Sequence, residues 1–131
     1  MGGGIGAQII QRLKAVVGAP HSIVALGTNA NATSAMVKAG ADIGATGENA
    51  IIHNATKIGC VCGPIGIVIP NSMMGEISPA IATAVASSDA IKVLIPLQQA
   101  HVDFVGVESR PLSQMLDQLA ERVAAVLAEE G

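Results

Sequence analysis

The sequence predicts an α/β fold, a mostly parallel sheet between layers of helix, and three observations carry that prediction. Short continuous apolar runs alternate along the chain with segments whose apolar residues recur at helical spacing. Half of the 131 residues are apolar, yet Phe104 is the only aromatic. Ala, Gly, Ile and Val must therefore fill the core, and the layers must approach closely. Finally, a glycine cluster (Gly2, Gly3, Gly4 and Gly6 around Ile5) opens an amphipathic helix. Glycines so spaced form the turn between the first strand and first helix of nucleotide-binding α/β domains. There the backbone approaches a phosphate, and the helix N-terminus offers unpaired N–H groups and a positive dipole end.

The elements follow in order. Ile5, Ile9, Ile10, Leu13, Val16 and Val17 make the first helical stripe, with Gln8, Gln11, Arg12 and Lys14 opposite, and Gly18 and Pro20 stop it. Residues 22–27 read as a buried strand, 28–31 as a polar turn, and a helix of small residues runs to about Lys38, closed by Gly40. The stretch 41–45 is short and ambiguous. Thr46, Gly47, Glu48 and Asn49 predict a helix start with a capping hydroxyl and an early acid that suits the dipole. A strand over 59–63 leads into Pro64, and 65–69 is either a further strand or a segment laid over the sheet. Ser78 and Pro79 are an N-cap and first-turn pair for a helix through about Ser87. Residues 91–95 are a buried strand. Too few residues separate it from 101–107 for a parallel crossover, so the latter is expected as an antiparallel edge strand or as part of a different region. The last helix starts near Leu112, with Met115, Leu116, Leu119, Val123, Val126 and Leu127 on one stripe.

This order is that of a Rossmann-like three-layer sandwich spanning 1–131 as a single domain, with its first strand apparently missing. The motif of glycines is diagnostic only behind a strand, and here one residue precedes it. Either the true start lies upstream and Met1 is internal, or the chain has been cut, or the glycine segment begins as a tail.

Composition narrows the partners. The formal charge is −3 with no Lys/Arg cluster, which argues against nucleic acid. No apolar run approaches the ~20 residues that span a bilayer. No secretory leader is present, and Gly6 stands where a myristoylation signal needs Ser or Thr, so a cytoplasmic protein without membrane attachment is expected. Small, smooth surfaces suit a homo-oligomer. Cys60 and Cys62 fall on one face of a strand and read as buried thiols. His21, His53 and His101 lack ligand spacing, so no metal is expected.

In parallel sheets, ligands bind beyond the carboxyl ends of the strands. Thr28 and Asn29, Gly63 and Pro64, and Pro96 stand at those ends. A dinucleotide site carries an acid after its second strand; Gly27, Thr28 and Asn29 supply none, which weakens ordinary NAD or NADP recognition. Glu48 at a helix start suits capping or ligand orientation better than proton transfer, since the dipole there favours a charged carboxylate over a proton-accepting base. Asn49 and His53 share a helix face. Asn71, Ser72 and Glu76 flank Met73 and Met74 in a loop that suits a lid, and Ser72 lacks a nucleophile-elbow pattern.

The segments 2–6, 25–33, 38–41, 44–51, 63–67, 71–76 and 95–97, taken in order, resemble the bacterial family called domain of unknown function 3842. The resemblance covers essentially the whole chain. It implies a Rossmann-like fold, a short apolar strand ending in Asp-Gly ahead of the glycines that this sequence lacks, and no established activity. It also marks the segments at Thr28 and Asn29, at 46–49 and at Asn71 and Ser72 as family motifs.

The leading expectation is a domain binding a nucleotide, dinucleotide or phosphorylated small molecule, with Gly3, Gly4 and Gly6 on phosphate and Thr28 and Asn29 on sugar or base. Glu48, Asn49, Asn71 and Ser72 line the remainder. One rival is a small NAD(P)-dependent oxidoreductase with Asn71, Ser72 or Glu48 at the reacting centre. Another is a homo-oligomeric interaction module without a ligand.

Overall fold

A computed structural model describes residues 2–97, 99 and 101–130. The elements run α1 (Gly2–Leu13), β1 (Val24–Gly27), α2 (Ala30–Lys38), β2 (Ile43–Thr46), α3 (Glu48–Ala55), β3 (Cys60–Pro64), a 3-10 turn (Ile65–Val68), α4 (Pro79–Ser87), β4 (Ile91–Ile95) and α5 (Leu112–Glu130). Local chemistry sets several of these bounds. The Asn29 side chain accepts from the Ala32 N–H at 2.9 Å and caps α2. The Ser78 hydroxyl accepts from the Ile81 N–H and caps α4, with Pro79 in the first turn. Gly40, at φ 125°, turns the chain away from α2 in a conformation that side chains avoid.

The predicted α/β class and the parallel pairing are both present. β1 pairs parallel with β2, Val24 opposite Ile43 through Gly27 opposite Thr46. β3 pairs parallel with β4, Cys60 opposite Ile91 through Pro64 opposite Ile95. The strands form two half-sheets of two rather than one continuous sheet.

Side chains alternate across these strands and build two cores. On one face Ala25 and Ile95 meet Ile9, Ile10 and Leu13 of α1, Met36 of α2 and Leu116, Leu119 and Val123 of α5. On the other, Leu26 and Val61 pack against Ile51 of α3 and Ile81, Ala82 and Val85 of α4. Helices α1, α2 and α5 thus cover one side and α3 and α4 the other, a three-layer arrangement. α1 reaches both β1 and β3 and so bridges the half-sheets.

Three local expectations are corrected and a fourth is decided between its alternatives. The glycines at 2–6 are not a turn ahead of a helix: Gly2–Leu13 is helical throughout, because the stripe of Ile5, Ile9, Ile10 and Leu13 holds the segment against the core. Thr46 is not the cap of α3. It ends β2 and its hydroxyl donates to Thr33 Oγ1 at 2.8 Å, while Gly47 occupies the N-cap without a side-chain bond. Residues 65–69 are not a strand; of the two alternatives the segment laid over the sheet is present, as a 3-10 turn whose Ile67 and Val68 pack into the core shared with Leu26 and Val61, closed by the Ile69 N–H on the Gly66 carbonyl at 3.0 Å. Residues 101–107 form no edge strand. A single antiparallel bridge joins Gln99 and Val102, Gly106 reverses the chain at φ 82°, and Val105 is 98% exposed, so the stretch has neither a partner edge nor a buried face. Among the described residues no helix is long and apolar enough to cross a membrane.

Candidate functional site

Because all paired strands run parallel, their C-terminal ends gather the loops. The register sets Gly27 beside Thr46 and Pro64 beside Ile95. Thr28 and Asn29 follow β1, and both donate to one carboxylate oxygen, Glu76 Oε1, from Thr28 Oγ1 at 2.7 Å and Asn29 Nδ2 at 2.9 Å. These two hydrogen bonds hold the Glu76 carboxyl below its ordinary pKa, since they are made to the charged form. Glu76 therefore stands ionised at the end of β1, half-buried, in the position where the linear sequence offers no acid.

The loop that delivers Glu76 is tightly wound. Asn71 (φ 66°), Met73 and Met74 (both 56°) and Gly75 (89°) all sit in the left-handed region. The Asn71 N–H donates to the Ile77 carbonyl at 2.7 Å, and Ile77 is buried at 3% exposure, which anchors the loop. The Ser72 hydroxyl donates to the Gly66 carbonyl, tying the loop to the turn after β3. Ser72 is thus occupied with backbone, whereas Asn71 is exposed. The chain of contacts from Thr28 through Glu76 and Ser72 to Gly66 brings the C-terminal ends of β1 and β3 to one rim.

Glu48, the first residue of α3, accepts from the Ser78 hydroxyl. The same hydroxyl caps α4, so one carboxylate joins two helix N-termini, whose dipoles favour it. Asn49 is exposed beside it. His53 lies away from this cluster on the exposed face of α3, 2.9 Å from Lys57 Nζ.

Of the predicted glycines, Gly6 serves packing. A Cβ on Gly6 would stand 2.6 Å from Met36 Sδ, so its bareness lets α1 and α2 meet closely. Gly4 faces open space, and Gly3 shares the same helix, its surroundings falling outside the described residues. Gly6 and Thr28 do line one cavity, together with Met73 of the loop. That cavity, about 170 Å³, lies between β1 and β3.

Cys60 and Cys62 also line it, on the same face, with no disulfide between them. A hydrogen bond with Cys60, then burial, push the Cys62 thiol far above its ordinary value. Among the described residues no group of three His, Cys, Asp or Glu side chains is placed to hold a metal ion.

Sequence reasoning missed the role of Glu76. The signal available was its place in a polar loop beside Asn71 and Ser72. Its partners, forty-eight and forty-seven positions away, were not deducible from spacing. Comparison with curated proteins and with solved structures returns no match. A family profile described as Domain of unknown function (DUF3842) matches residues 1–128, nearly the whole chain, and the chain belongs to that family.

Proposed function

We propose that the rim at the C-terminal ends of the strands binds a nucleotide or a similar phosphorylated, ribose-bearing small molecule. The observation that carries this reading is the Glu76 carboxylate, gripped by Thr28 and Asn29 at the end of β1. An acid at that place accepts hydrogen bonds from ribose hydroxyls in nucleotide-binding α/β sheets. The two protein donors converge on Oε1, and Oε2 keeps its lone pairs for a ligand. The first turn of α1, with Gly3 and Gly4, offers phosphate the unpaired N–H groups and positive end that any helix start carries, and Gly6 follows in the second turn. Glu48 and Asn49 at the start of α3, and Asn71 and Ser72 in the loop, would complete the rim.

Calorimetric titration of the 131-residue chain with ATP, AMP, NAD and ribose 5-phosphate tests the reading. At least one ligand is expected to bind saturably, and Glu76→Ala is expected to weaken it tenfold or more, about 1.4 kcal/mol. The absence of saturable heat with all four overturns it, as does binding that Glu76→Ala leaves unchanged.

A further inference from the structure

We propose that Glu76 makes the rim a selector by charge, one that takes a ribose whose 2′-hydroxyl is free and turns away the same ribose carrying a 2′-phosphate. The inference rests on the reading of the rim as a nucleotide site and narrows it to ligands of the AMP and NAD type. Its basis is a distribution of charge. The carboxyl groups of Glu76 and Glu48 both stand at the rim, and among the described residues no lysine or arginine side chain is joined to either.

The sequence holds seven Lys and Arg residues, and each lies elsewhere. Arg12 pairs with Asp117 between α1 and α5, and Arg110 pairs with Glu108. Lys92 Nζ donates to the carbonyls of Ser88 and Ala90, ahead of β4. Lys57 Nζ lies 2.9 Å from His53 Nε2, past the last residue of the helix that Glu48 begins. The Lys14 side chain lies against Gly40. Lys38 is the last residue of α2, about 12 Å down the helix from Ala30 at ~1.5 Å per residue. Arg122 of α5 lines a cleft beside Val93 and Ile95 of β4.

The hydrogen bonds at Glu76 fix the sign of its effect. Thr28 Oγ1 and Asn29 Nδ2 both donate to Oε1, and bonds to the charged form keep the carboxyl ionised. An ionised carboxylate only accepts, so it suits a hydroxyl that donates. A 2′-phosphate brings more acceptors and its own negative charge to the same place. The Thr28 hydroxyl proton and one amide proton of Asn29 are already given to Glu76. Sites that hold a 2′-phosphate supply an arginine to receive it. That is the residue type this rim lacks.

The test is calorimetric titration of the 131-residue chain with two pairs of ligands that differ only by a 2′-phosphate. These are AMP against adenosine 2′,5′-bisphosphate and NAD against NADP. In any pair whose first member binds, the 2′-phosphorylated member is expected to bind tenfold or more weakly in low salt. Raising the salt from about 0.05 M to about 0.5 M should narrow that ratio about threefold, because screening weakens repulsion between charges and leaves a steric block untouched. Glu76→Gln keeps the shape and removes the charge, and should bring the two members of the pair within about threefold of each other. The salt series on the wild type decides alone should that variant not fold. Equal binding within a pair, or a ratio that neither salt nor Glu76→Gln changes, overturns the inference and leaves the reading of the rim in place. Absence of binding by both AMP and NAD also overturns it, and ATP and ribose 5-phosphate then decide whether the reading of the rim falls with it.

Discussion

Gly4 stands in the first turns of α1 with nothing within 4 Å of the place a Cβ would occupy. A glycine inside a helix is worth about 0.5–1 kcal/mol less than alanine there. Gly4→Ala is therefore expected to raise the stability of the chain by that amount in a urea unfolding titration. A glycine working in a left-handed turn would give the opposite sign. The glycine cluster misled because bare spacing says nothing about the sign of φ, whereas the isoleucine stripe beside it already specified a helix. Glu76 supplies a second prediction. Its folded pKa lies below its unfolded value of about 4.3, so its share of stability is present above that value and lost as pH falls through the folded pKa. In thermal unfolding across pH, the wild type should exceed Glu76→Gln at pH 7, and the gap should close on acidification. A constant gap would show that the two hydrogen bonds do not favour the charged carboxylate.

At the scale of the elements, Thr33 ties three of them together. It is buried at 8% exposure on α2, and its hydroxyl accepts from Thr46 Oγ1 of β2 and reaches the carbonyls of Asn29 at 3.2 Å and Ala45 at 3.4 Å. Gly27 of β1 lies so close that a Cβ there would stand 2.2 Å from Thr33 Oγ1. Thr33→Val keeps the shape and removes the hydroxyl, leaving these groups without their partner. A loss of about 1–3 kcal/mol is expected by chemical denaturation, with Thr33→Ser much closer to wild type. The limits of α4 and β4 were legible in full, because Ser78-Pro79 is a capping signal and 91–95 is apolar at every position but Lys92. β2 was not: Ile43 is 60% exposed, so burial never impressed a pattern on its residues. The stretch 101–107 shows the converse. Val102, Val105 and Val107 have strand propensity, yet all are exposed, and no neighbouring edge pairs with them beyond one bridge.

For the molecule as a whole, the alternation of helix and strand conveyed the three layers, since each helix shows one apolar stripe and each buried strand none. The split into half-sheets was invisible, because which edges meet is decided by helices distant in sequence. α1 spans the division by touching β1 and β3, and α5 packs against α1, β3 and β4. The Arg12–Asp117 ion pair between α1 and α5, at 2.9 Å but exposed, adds at most about 1 kcal/mol to that bracket.

Of the two sulfurs that line the cavity, the one of Cys62 gives the molecule a chemical stopwatch. A thiol whose pKa is far above neutrality presents almost no thiolate, and iodoacetamide reacts only with thiolate. Mass-spectrometric alkylation of Cys62 at pH 7.5 should run at least tenfold slower in the native chain than in urea-unfolded chain. Its pace would then time how often the interior breathes open to solvent, and equal rates would mean that Cys62 is already bathed in water.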